Sequence, residues 1–303
     1  MPKKANLRGE KLKKIIRLLR VQHYLKNLLI FAALASSGQM LNKNKLLMTA
    51  IGFCAFCAIS SSVYIINDIR DVEKDKAHPK KCKRPIASGD ISLTKAYVIL
   101  GIAIAIAVAF SILTFNLVAC ILILIYLVLN IGYSYGLKNI PIIDIVILAA
   151  GFLIRLLYGA KLADIEVSSW LLLTVMTISF YFALGKRRNE LKLKGENDIV
   201  DDTRVVLKHY PLAYLDKTMY MCLGLFNTFY TLWSLSDNTV LRYNNKYLFW
   251  TSPIVLVITM KYNLNVETKL DGDPVEILLQ DKALIALCAL YLFAMFFILY
   301  LLK

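Results

Sequence analysis

Apolar residues run through this chain in nine blocks, each close to the roughly 20 residues that a helix needs to cross a bilayer. Charge collects in the segments between them. The blocks fall at about 24–41, 46–66, 96–115, 117–133, 145–160, 170–184, 219–235, 247–262 and 283–302. Ahead of the first, Lys11, Lys13, Lys14, Arg17 and Arg20 alternate with Leu12, Ile15, Ile16, Leu18 and Leu19. That pattern predicts a basic amphipathic helix lying on a membrane surface. The expected architecture is all-α and polytopic: an amphipathic segment over 1–23, then a transmembrane domain of about nine helices over 24–303. The basic start and Ala33-Leu34-Ala35 are reminiscent of a signal peptide, but the charged region before Leu28 is long, and the topology works better with the first helix kept.

Composition and charge sharpen this picture. Of 303 residues 58% are hydrophobic, and the net charge is +15. With the amino terminus inside, 29 of the 36 Lys and Arg fall on the cytoplasmic side. The positive-inside rule therefore predicts an inner (plasma) membrane protein with its amino terminus and charged loops in the cytoplasm and its carboxyl terminus outside. The same distribution argues against nucleic acid as the partner, because no basic patch lies away from the membrane-flanking loops. Cys54 and Cys57 form a CxxC inside an apolar helix with no second pair and no nearby His, which reads as packing.

Candidate chemistry concentrates after the second block, in Tyr64–Ser92. Asp68, Asp71 and Asp75 follow spacings of three, four and seven, so on one continuous helix they share a face. Three clustered carboxylates repel unless a cation sits among them, and Mg²⁺ is commonly held by one or two carboxylates together with substrate phosphates. Asn67 precedes them. His78, Lys80, Lys81, Lys83 and Arg84 follow and suit phosphate oxygens. The plainer alternative is a solvated, mixed-charge loop.

A second constellation, Lys186, Arg187 and Glu190, lies at the exit of the sixth block. It reads either as a phosphate site or as an ordinary positive-inside anchor. Arg155 lies within the fifth block, where a charge is expensive and usually faces a cavity or a partner. Helical spacing can set it on one inner face with Asp144. Lys26 stands at the mouth of the first helix, where it reads equally as a contact for a lipid headgroup or as an interfacial anchor. Tyr64, Tyr126, Tyr133 and Tyr135 read mostly as an aromatic belt, with Tyr133 and Tyr135 the two expected to line the site. Neither a phosphate-binding GxxxxGK[ST] loop nor a GxSxG turn nor a zinc-spaced His pair occurs.

The stretch NDIRDVEKD resembles the NDxxDxxxD motif of the UbiA superfamily of intramembrane prenyltransferases. The resemblance is closest to its decaprenyl-phosphate phosphoribosyltransferase branch. Lys26-Asn27, Asn67–Gly89, Tyr133–Lys138, Arg155, Lys186–Leu191 and Gly272–Asp281 carry it. The resemblance implies a UbiA-like bundle and Mg²⁺-dependent transfer of 5-phosphoribose from phosphoribosyl pyrophosphate to a polyprenyl phosphate, in the making of a cell-envelope glycan precursor. It implies Asp68, Asp71 and Asp75 as catalytic and metal-holding residues. Asn67, Lys26, His78, Lys80, Lys83, Arg84, Tyr135, Lys138, Arg155, Lys186, Arg187 and Glu190 would bind substrate. An oligomer is compatible with this reading. Where prenyltransferases of the superfamily carry a second aspartate-rich motif, this chain has KRRNEL, and Asp198, Asp201 and Asp202 lie further on. The competing readings are a UbiA-type prenyltransferase acting on an aromatic or other small acceptor, and a transporter or lipid-binding protein.

Overall fold

The computed structural model describes residues 12–77, 81–196, 205–268 and 274–302. His78, Lys80, Asp198, Asp201 and Asp202 lie outside these residues. The described chain is helical. Helix α1 covers 12–19. A 3-10 segment, Val21–Phe31, runs into the short α2, Ala32–Ser36. Then come α3 (Lys43–Arg70), α4 (Val72–Ala77), α5 (Leu93–Leu113), α6 (Leu117–Tyr135), α7 (Ile143–Leu162), α8 (Ser169–Glu196) and α9 (Leu212–Leu235). The last four are α10 (Asp237–Tyr243), α11 (Ser252–Thr268), α12 (Pro274–Leu279) and α13 (Lys282–Phe296). Among the described residues six helices (α3, α5, α6, α7, α8, α13) are long and apolar enough to cross a membrane.

Polar caps set several of the starts. Asn42, Ser92, Asn116 and Asp281 each accept a backbone N–H from the first turn of α3, α5, α6 and α13, which satisfies donors that the helix itself leaves open. Helix α3 packs on α5, α6 on α7, α7 on α8, and α8 on α9. The apolar stretches of α3 and α7 are 56% and 61% buried, against 17% for α5 and α13. Helices α3 and α7 are therefore the inner ones, and they carry Asn67, Asp68, Asp144 and Arg155.

The first expected spanning helix is wound differently. Arg20 adopts a left-handed backbone (φ 51°), and Val21–Phe31 continues as 3-10, whose side chains line up every third residue. Tyr24, Asn27 and Ile30 fall in one row. The Tyr24 hydroxyl meets Ser61 Oγ at 2.8 Å, Asn27 Nδ2 donates to Cys57 Sγ and Ser60 Oγ at 3.2 Å, and Ile30 crosses α7 at Gly159. A Cβ at Gly159 would stand 1.8 Å from the Ile30 carbonyl oxygen, so glycine is what lets the two backbones touch. Lys26, Leu29 and Ala32 form the neighbouring row and face a large apolar cavity.

Helix α1 is not a free surface helix. Leu18 is fully buried with Ile65, Ile86, Ile91 and Ala96. Arg17 Nη2 donates to the Lys83 carbonyl at 2.9 Å, and Lys14 pairs with Asp90 at 2.6 Å. The apolar face predicted for lipid is used in part to dock the helix on the loop that follows the acidic motif.

Candidate active site

Helix α3 stops where the acidic motif begins. Asp71 is its C-cap, with ψ 13°, and α4 starts anew at Val72. The single helical face expected for Asp68, Asp71 and Asp75 is therefore broken, and the three carboxylates have different surroundings. Asp68 is 2% exposed; it accepts from Arg20 Nη2 at 2.6 Å and from Arg84 Nη1 at 3.1 Å. Asp75 receives the same Arg84 nitrogen at 2.6 Å. Asp71 Oδ2 pairs with Lys138 Nζ at 3.2 Å. Among the described residues no three His, Cys, Asp or Glu side chains gather as a metal cluster.

These groups surround the mouth of a polar cavity of about 230 Å³. Asn67, Asp71 and Asp75 lie on its wall, and Asp68 does not. Asn67 Oδ1 is held by the Ser134 hydroxyl from α6. One carboxylate oxygen each of Asp71 and Asp75 has no donor among the described residues. Eight basic side chains share the wall: Arg20, Lys26, Lys74, Lys81, Arg84, Lys138, Arg155 and Lys186.

Arg155 closes the inner end and is 6% exposed. Its Nε donates to Asn27 Oδ1 at 2.8 Å, Nη1 to the Gly151 carbonyl at 2.6 Å and Nη2 to the Tyr126 hydroxyl at 3.2 Å. The guanidinium lies 4.9 and 5.0 Å from the ring centres of Phe56 and Tyr126. Each of these partners is uncharged. Asp144, eleven residues earlier on the same helix, is not among the partners of Arg155.

Asp144 belongs instead to Arg187. The KRRNEL box is helical, the last turns of α8 rather than a loop. Arg187 is fully buried and each of its three nitrogens is engaged: Nε reaches Asp144 Oδ2 at 2.5 Å, Nη1 reaches Glu190 Oε2 at 2.6 Å, and Nη2 donates to the Tyr133 hydroxyl at 2.7 Å. Tyr210 completes the cluster by donating to Asp144 Oδ1 at 2.6 Å while accepting from Ile142 N. Burial first, and then the Asp144 carboxylate, hold the Tyr210 phenol above its ordinary range, so it serves as a donor. Arg188 is drawn the other way, to Asp216 and to Glu267 Oε2 at 2.6 Å. Of the basic residues of the box, only Lys186 is on the cavity wall.

Two other sequence assignments move. Tyr135 is 69% exposed, with the Arg70 guanidinium 4.2 Å from its ring centre, and it is off the cavity wall; Tyr133 lines it. Lys83 is exposed and meets Arg17 only through its carbonyl, whereas Lys81 lines the cavity. Arg20, Lys74, Tyr126 and Phe152 are among the wall residues that the sequence did not single out. Arg20 looked like one more charge on an amphipathic helix, and Tyr126 like aromatic belt.

Beside the polar cavity lies an apolar one of about 700 Å³, enclosed by the first segment, α8, α9, α11, α12 and α13. It extends from Lys26, Phe182 and Tyr262 to Met40, Trp233 and Tyr300. Lys26 and Phe152 line both cavities.

Comparison with known proteins agrees with this architecture. The decaprenyl-phosphate phosphoribosyltransferase of Corynebacterium glutamicum is 33% identical over 284 residues, which cover 92% of this chain and 84% of that protein. The protein of the same description from Mycolicibacterium smegmatis is 34% identical, covering 89% and 87%. The solved structure of a UbiA homolog from Archaeoglobus fulgidus bound to GPP and Mg²⁺ superposes with a TM-score of 0.69 at 17% identity, covering 94% of this chain and 99% of that one. Residues 28–274 match the UbiA prenyltransferase family. With that match and those relatives, this multi-pass membrane protein belongs to the UbiA prenyltransferase family.

Proposed function

We propose that this chain transfers 5-phosphoribose from phosphoribosyl pyrophosphate to a polyprenyl phosphate of the decaprenyl class and releases pyrophosphate. The observation that carries the reading is the pair of cavities joined at Lys26 and Phe152. One is apolar and large enough for several isoprene units. The other sets eight cations against two wall carboxylates. Such an excess of positive charge suits two anionic substrates brought together, which a prenyl diphosphate and a neutral aromatic acceptor would not require. The curated relatives bearing that activity in their names support it.

Asn67, Asp71 and Asp75 offer hard oxygens, two of them without donors among the described residues, and this set fits Mg²⁺ shared with substrate phosphates. They are the residues that would hold the ion, which when bound supplies charge stabilisation to the departing pyrophosphate. Asp68 then acts through its neighbours, fixing Arg20 and Arg84 toward the cavity. Lys138 and Lys81 hold donor phosphate oxygens by charge-assisted hydrogen bonds. Arg187 is a positioning residue that fixes the Tyr133 hydroxyl. A lipid phosphate is already an anion at neutral pH, so positioning and electrostatics carry the reaction without a strong base. The positive-inside distribution supports a cavity mouth on the cytoplasmic side of the plasma membrane, within reach of a soluble donor and a bilayer lipid.

The test is a transfer assay on protein in detergent with Mg²⁺, labelled phosphoribosyl pyrophosphate and decaprenyl phosphate. A parallel arm uses a prenyl diphosphate with 4-hydroxybenzoate. Label in the lipid phase, lost on chelation and in Asp71→Asn, is the expected result. Prenylation of the aromatic acid with no lipid label would overturn the proposal in favour of prenyl transfer.

A further inference from the structure

The two ends of the polar cavity differ in how their cations are compensated. At the mouth, Arg20 and Arg84 are paired with Asp68 and Asp75, and Lys138 with Asp71. At the inner end, Arg155 has three neutral acceptors and no carboxylate within ion-pair distance among the described residues. Arg155 is twelve residues beyond the start of α7, about 18 Å along the helix at 1.5 Å per residue. A buried guanidinium at that depth, without a counter-ion, is costly unless an anion arrives. Tyr126 accepts from Arg155 through its oxygen, which leaves its own proton available to the same anion.

Connectivity then decides which anion. The acceptor's tail is apolar and its phosphate is attached to one end of it, so tail and phosphate must lie on either side of a junction between an apolar and a polar space. That junction is the wall shared by Lys26 and Phe152. Phe152 lies 5.8 Å from the Arg155 guanidinium, and Asn27, next to Lys26, holds Arg155 Nε.

Resting on the reading of this site as a phosphoribosyltransferase, we infer that the acceptor phosphate binds at the inner end, between Arg155 and Lys26, while the donor's pyrophosphate lies at the mouth with Asp71, Asp75, Arg84 and Lys138. An acceptor phosphate oxygen attacks the ribose C1 from the inner side. A C1–O–P bond to the lipid forms as the C1–O bond to pyrophosphate breaks, its electron pair leaving toward the mouth. No proton changes hands, because the attacking oxygen is already ionised. The ribose carbon lies in line between the two anionic ends.

Two-substrate kinetics test the assignment. Lys26→Met and Arg155→Lys should each raise KM for decaprenyl phosphate by about tenfold or more. KM for phosphoribosyl pyrophosphate should stay within about twofold, as should equilibrium binding of the labelled donor with Mg²⁺. Arg155→Lys keeps the charge and loses the fork that meets Asn27 and Tyr126. Lys138→Met should show the opposite split. Should Arg155→Lys fail to fold, Lys26→Met on the cavity wall carries the test alone. Weaker donor binding with an unchanged acceptor KM in Lys26→Met or Arg155→Lys would overturn the inference. Absence of any transfer by the wild type would instead overturn the proposed reaction. Thermal stabilisation by farnesyl phosphate, present in the wild type and lost in Lys26→Met, would still support the inner phosphate site in that case, and equal stabilisation of both would refute it.

Discussion

Replacing Arg187 by methionine separates a structural cation from a substrate-binding one. Arg187 and Asp144 are both 0% exposed, and the arginine also holds Glu190 and Tyr133. Without it, Asp144 keeps the Tyr210 hydroxyl at 2.6 Å but loses its counter-charge. Stranding one member of a buried ion pair costs about 3–5 kcal/mol, which corresponds to a fall in melting temperature on the order of 10 °C for a chain of this size. The assay is thermal melting of purified protein in detergent, paired with two-substrate kinetics on the folded fraction. The Arg187→Met/Asp144→Asn double variant should recover much of the loss, because it removes the stranded charge as well. kcat should fall in the single variant as Tyr133 loses its anchor, with donor KM changing little. An Arg187→Met protein that melts like the wild type yet shows a donor KM raised tenfold or more would refute this reasoning and make the guanidinium a phosphate ligand.

Other outcomes follow from single contacts. Gly159→Ala sets a Cβ against the Ile30 carbonyl oxygen, and such overpacking should lower stability by about 1–3 kcal/mol, read as a lower melting temperature that Gly224→Ala, in open space, does not share. Tyr300 lines the far end of the apolar cavity, its hydroxyl accepting from Met40 N at 2.9 Å. Tyr300→Ala should shift the ratio of kcat/KM toward longer polyprenyl phosphates; an unchanged ratio would mean that the tail leaves the cavity sideways. Asp281 caps α13 and pairs with Lys261 at 3.0 Å and Asn265 at 2.9 Å. The Lys261 ammonium first, and then the Leu284 N–H and Asn265, hold its carboxyl well below the usual range. A lowered folded value means the stabilisation is complete above the ordinary carboxylate pKa and is lost as pH falls through the lowered one. Melting of Asp281→Asn relative to wild type should therefore show its largest deficit near neutral pH, and the gap should narrow in acid.

Much of the site was legible because the residues involved are chemically conspicuous against an apolar background. An arginine within a spanning block, a run of spaced carboxylates and a basic cluster at a helix exit each stand out when the neighbours are leucine and isoleucine. What could not be read was how these charges pair. Asp144 and Arg155 lie on one helix, and Asp144 meets Arg187 from α8 while Arg155 meets Asn27 from the first segment. Pairing is fixed by which helices touch, and no local pattern contains that. The same holds for the acidic motif, whose three carboxylates would share a face only if α3 did not end at Asp71.

By itself the sequence determined the all-helical membrane architecture, the concentration of charge at one end of the bundle and the identity of most charged wall residues. These follow from lengths of apolar runs and the cost of charge in hydrocarbon, both local properties of the chain. Only the tertiary structure decided that Val21–Phe31 winds as 3-10 rather than α. The alternative winding would turn Asn27 from Arg155 and Lys26 from the apolar cavity, and the contact of Ile30 with Gly159 is made between segments 129 residues apart. It also decided that Arg187 is spent inside the protein while Arg155 meets no carboxylate among the described residues. Both are buried arginines, and what separates them is whether packing brings a carboxylate from another helix within reach.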